Sequence, residues 1–62
     1  TVLTVYQRAY KRYYARVLKQ RWSKEQFQRW QEEALRVRSE AEASHWSGLQ
    51  LEDKLRELAE NL

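Results

Sequence analysis

A chain of 62 residues with no proline and a single glycine, Gly48, has almost nothing in it to interrupt a helix, so any helix boundaries must be set by caps. Three segments carry a start signal of one form. Thr4-Val5-Tyr6-Gln7, Ser23-Lys24-Glu25-Gln26 and Ser47-Gly48-Leu49-Gln50 all read S/T-x-x-Q, the pattern in which a hydroxyl accepts from the N3 amide while the glutamine side chain reaches back to the cap. At the second and third, an aromatic residue precedes the cap and an apolar one occupies N4. This pairs Trp22 with Phe27 and Trp46 with Leu51 as expected hydrophobic staples. The pattern predicts helices near 5–21, 24–45 and 48–61, joined by tight turns. Short turns favour antiparallel neighbours, so the expected fold is all-α: a small antiparallel three-helix bundle, or a helical hairpin with a third helix docked on it, forming a single domain over 1–62.

Hydrophobic periodicity assigns the inward faces. In the first helix Leu3, Tyr6, Tyr10, Tyr13, Val17 and Trp22 fall near one face, flanked by Tyr14 and Val2. Phe27, Trp30, Ala34, Val37, Ala41 and Ser44 alternate steps of three and four along the second helix. Leu51, Leu55, Leu58 and Leu62 keep that rhythm in the third, so a leucine ridge is expected to pack where the middle helix offers alanine. Leu35 points away from the Phe27 seam and has no evident partner inside the bundle. Together with Tyr10, Tyr14 and the ridge formed by Leu51, Leu55 and Leu58, it belongs to an interaction or core stripe.

Composition narrows the function classes. A domain this small buries only about 60% of the surface its unfolded chain exposes, and the absent cysteines remove disulfide staples, so self-association or a bound partner is an expected source of stability. Lack of cysteine also removes thiol catalysis and cysteine-ligated metal sites. Glu42-Ala43-Ser44-His45 has E-x-x-H spacing, but the first helix offers no facing carboxylate, so no metal and no cofactor are expected. No glycine-rich phosphate loop occurs, and no serine has a histidine placed as its base, apart from the uninformative neighbours Ser44 and His45. The expectation is a non-enzymatic protein without a small-molecule substrate. No apolar run approaches a membrane span, which predicts a soluble chain with no membrane partner and favours a cytoplasmic setting. The chain begins with Thr1, which leaves an excised domain, a processed product and an engineered chain equally open.

Charge is divided unevenly. Residues 1–24 hold seven Lys or Arg and no acid, whereas residues 25–62 hold five basic and nine acidic residues. Arg8, Lys11, Arg12, Arg16 and Lys19 are expected to share the face opposite the tyrosine stripe. Such a ridge is either solvated, or paired with Glu25, Glu32, Glu33, Glu40 and Glu42 on the neighbouring helix, or a surface for phosphates. Two functions follow from these features. The leading one is a helical protein–protein interaction or homodimerisation module; the alternative is a small nucleic-acid-binding protein that contacts phosphates through the first helix.

Overall fold

A computed structural model describes residues 2–61 as three α-helices in sequence: α1 (Val2–Leu18), α2 (Lys24–Ser44) and α3 (Gly48–Glu60). Each helix packs on both others, giving a rod of 34 × 16 × 14 Å. Phe27 near the start of α2 meets Tyr10 and Tyr14 late in α1, while Arg38 near its end meets Tyr6, so α1 and α2 are antiparallel. Gly48 approaches Val5 and Glu52 reaches Arg12, so α3 runs alongside α1 in the same direction. The expected up-down-up bundle is the fold. Among the described residues no helix is long and apolar enough to cross a membrane.

The second and third start signals work as capping chemistry requires. Ser23 Oγ accepts from the Gln26 amide at 3.1 Å and Gln26 Oε1 accepts from the Ser23 amide at 3.0 Å. Ser47 and Gln50 repeat this at 3.2 and 3.0 Å. The first signal does not start a helix. α1 is already helical at Val2, placing Thr4 inside it, because Val2 and Val5 both pack against the core and their burial carries the helix past the hydroxyl. α1 also stops at Leu18 rather than at 21. Gln20 adopts φ 61°, and the Arg21 and Gln20 amides donate back to the carbonyls of Arg16 (2.8 Å) and Val17 (3.0 Å). This is a Schellman closure with glutamine in the left-handed position usually taken by glycine. α2 closes likewise: His45 has φ 55°, and the Trp46 amide donates to the Ala41 carbonyl at 3.0 Å.

The core consists of Tyr6, Ala9 and Tyr13 from α1, Phe27, Trp30, Ala34, Val37 and Ala41 from α2, and Leu51, Leu55 and Ala59 from α3. Trp30 is fully buried at its centre, and its indole N–H donates to the Leu55 carbonyl at 3.1 Å, so the bulkiest core side chain leaves no polar atom unpaired. Around it Tyr13 lies with its ring 4.9 Å away and Phe27 at 5.9 Å. Trp22, expected as a staple for Phe27, stacks on Tyr13 at 5.1 Å. Three other expectations are corrected. Leu3 is exposed because Ala9, a small residue that leaves little trace in hydropathy, draws the buried face of α1 to Tyr6, Ala9 and Tyr13, and Leu3 lies about 90° around the helix from the middle of that face. Ser44 is exposed because α2 is closing there. The α3 ridge runs through Ala59, with Leu58 half-buried on its flank; Leu62 lies outside the described residues.

Candidate functional site

Two surfaces flank α1, one on each side of its buried stripe. The first lies towards α2. Leu3, Gln7, Tyr10, Tyr14 and Leu18 follow one another by steps of four, three, four and four, and all but the half-buried Tyr10 are exposed. On α2, Gln28, Glu32, Leu35, Ser39 and Glu42 repeat the rhythm and are all exposed. The α1 stripe sits about 105° and the α2 stripe about 140° around the helix from its core face, and both turn the same way. Gln31 and Arg38 each reach Tyr6, which sets Leu35, midway between them on α2, level with Tyr6. Leu3 is 47% exposed, Tyr14 44%, Leu18 68% and Leu35 46%. The rings of Tyr10 and Tyr14 are nearly parallel, 6.1 Å apart, and Phe27 meets both edge-on at 5.2 and 5.6 Å. This fixes the exposed tyrosine from behind. Tyr6, beneath the same surface, has its hydroxyl pKa raised by burial, partly opposed by the Arg38 guanidinium 5.1 Å from its ring.

The second surface lies towards α3. Here Val5, Ala9, Tyr13 and Leu55 line a small groove with Arg8, Arg12, Arg56 and Glu52, and its volume is about 30 Å³. Arg12 and Glu52 face each other at 3.7 Å, both about half exposed. That separation exceeds the roughly 2.7–2.9 Å of a charge-assisted hydrogen bond, and exposed pairs of this kind contribute only about 0–1 kcal/mol.

The basic ridge expected along α1 is therefore not one face. Lys11 borders an open hollow with Tyr6, Gln7 and Tyr10 on the α2 side, whereas Arg8 and Arg12 border the α3 groove. Five helical steps put about 140° between Lys11 and Arg16, too much for a single stripe. The Arg16 guanidinium lies over the rings of Tyr13 (4.8 Å) and Trp22 (5.5 Å), and Lys19 stands in the turn beyond the helix. Among the described residues no α2 carboxylate forms an ion pair with a cation of α1. Arg12 reaches α3, while Glu33 and Glu42 pair within α2 with Arg36 and Arg38.

Of the expected interaction stripe, Leu51 and Leu55 are core, Tyr10 and Leu58 are half-buried, and Tyr14 and Leu35 are accessible. A contact surface built on the leucine ridge is thus unavailable, because the bundle consumes it. Sequence reasoning missed Leu18 and the pairing of the two exposed stripes, although a second three-four rhythm beside the core rhythm marks both. It also missed Arg56 and Glu52, which only the packing of α3 on α1 brings to Arg8 and Arg12. Among the described residues no three His, Cys, Asp or Glu side chains gather as a metal ion requires. Comparison of the chain with protein-family models, with curated proteins and with solved structures finds no match.

Proposed function

We propose that the protein is a non-enzymatic helical module that self-associates through the α1/α2 surface, with a second copy of this chain as its partner. The observation that carries this reading is the exposed three-four stripe on each of two adjacent helices, with Leu3, Tyr14, Leu18 and Leu35 in it. Helices present such a stripe to a facing helix.

Charge selects the arrangement. On this surface α1 presents Lys11 and no acid, while the exposed α2 stripe carries Glu32 and Glu42. A twofold axis parallel to the helices lays α1 of one copy on α2 of the other and sets Lys11 near Glu32. An axis across the helices would instead set α1 against α1, cation on cation. The first arrangement is the one proposed.

Its strength follows from its size. The 34 × 16 Å side of the molecule offers about 500 Å² per copy, at the low end for specific interfaces. Completing the burial of half-exposed Leu and Tyr side chains yields about 1 kcal/mol each, or roughly 8 for eight of them. Association costs at least about 4 kcal/mol, which leaves about 4 at most, so the dimer is weak, with a dissociation constant of about 1 mM that concentrations from about 0.1 to 2 mM bracket.

Sedimentation equilibrium across that concentration range tests the reading. Wild type should pass from monomer to dimer, and Leu35→Glu should stay monomeric with unchanged helicity. Lys11→Glu and Glu32→Lys should each weaken the dimer, and the two together should restore it. A wild type monomeric throughout, or a dimer indifferent to Leu35→Glu, would sink it.

A further inference from the structure

The α1/α3 groove lies on the opposite flank of α1 from the self-association surface and stands independently of it. Arg8 and Arg12 project one turn apart from α1, Arg56 comes from α3, and a single carboxylate, Glu52, stands among them. The excess of guanidinium over carboxylate leaves the groove cationic. Arg12 is held only loosely, at 3.7 Å from Glu52, so its donors are not saturated. The groove's volume of about 30 Å³ admits one or two water-sized atoms, enough for one or two oxygens of a tetrahedral oxyanion seated at its mouth and far too little for a base or a sugar. Arg56 and Arg8 also differ from an ordinary solvated lysine row in kind. A guanidinium presents a planar fork that matches a phosphate edge, whereas an ammonium is a point charge.

We infer that this groove binds a backbone phosphate of a nucleic acid, without reading its sequence. A polyanion is favoured over a lone anion because the cations continue past the groove. Arg16 follows Arg12 one turn further on, about 12 Å along α1 from Arg8, and Lys19 lies beyond it. Successive phosphates of one strand can meet this line, and the term they contribute is electrostatic and salt-dependent. Glu52 competes with the phosphate for Arg12, so removing its charge strengthens binding.

The test is fluorescence anisotropy of a labelled single strand of about twenty nucleotides, titrated with the full chain at several salt concentrations, with inorganic phosphate titrated separately by calorimetry. Expected results are binding that weakens linearly in log salt, and a loss of at least about tenfold at low salt in the Arg8→Gln/Arg56→Gln variant. The salt slope of that variant should fall by about 0.7 for each contact removed. Glu52→Gln should tighten binding more than Asp53→Asn, which makes the same change in net charge beside Trp46 and away from the groove. Circular dichroism of each variant confirms that the bundle is intact. The inference is overturned by an absence of oligonucleotide binding at low salt, with or without saturation by inorganic phosphate. It is equally overturned by equal effects of Glu52→Gln and Asp53→Asn, or by undiminished binding in the double glutamine variant.

Discussion

At Gln20 and His45 the backbone turns left-handed with φ of 61° and 55°, although neither residue is glycine. A side chain there costs roughly 1–2 kcal/mol against the carbonyl that follows, which the closing hydrogen bonds and the packing of Trp22 and Trp46 offset. Glycine removes that cost but brings its own entropy to the unfolded chain. Gln20→Gly and His45→Gly should each therefore raise stability by about 0.5–1 kcal/mol, read as a rise in melting temperature of roughly 4–8 °C per kcal/mol. Tyr6 gives a prediction of a different kind. Burial raises its folded pKa above the ordinary 10.0 of the unfolded chain, so folding favours the protonated hydroxyl. Its contribution is complete below pH 10.0 and is lost as pH rises through the folded value. Urea melts from pH 9 to 11 should show wild-type stability falling more steeply than that of Tyr6→Phe; parallel curves would refute the assignment. Neither feature is legible in the sequence, because a left-handed glutamine has no residue signature and the burial of Tyr6 depends on which tyrosines the bundle chooses.

Helix starts were legible where the cap is the only available stop, and helix ends were not. Ser23 and Ser47 each satisfy a first-turn amide that has no partner within its own helix, and Ser→Ala at either should cost about 1 kcal/mol in chemical denaturation. The Thr4 pattern has the same letters, but Val2 and Val5 find core partners before it and extend the helix through it. The pairing of large with small is the other feature the periodicity revealed. Ala34 and Ala41 are fully buried, as is Leu51, with Leu55 at 1%. Ala41→Leu has no space to fill and should cost about 1–3 kcal/mol. Trp30→Phe leaves part of the ring's volume empty and removes the bond to the Leu55 carbonyl, for a loss of roughly 2 kcal/mol. What periodicity could not rank was the width of the stripe on α1. Seven aromatic and aliphatic positions crowd one side of that helix, and the core took Tyr6 and Tyr13 across Ala9, leaving Leu3 and Tyr14 outside.

At the scale of the molecule, α1 serves three surfaces at once: a buried stripe for the bundle, an apolar flank beside α2 and an arginine flank beside α3. The bundle itself was readable from caps and periodicity, whereas the two flanks depend on how the helices lie against each other, which no single helix encodes. Within the chain the acid-free α1 meets a carboxylate of α3 through Arg12 and Glu52, and in the proposed dimer it faces the carboxylates of the second copy's α2 stripe. The most direct measurement of the proposed self-association is an isotope-filtered NOE spectrum on an equimolar mixture of labelled and unlabelled chains near 1 mM. With α1 of one copy laid on α2 of the other, the Leu35 methyl groups of one chain should show intermolecular NOEs to Leu3 and Gln7 of its partner. A spectrum free of intermolecular NOEs, or NOEs that join Tyr14 to Tyr14 across the copies, would contradict the account.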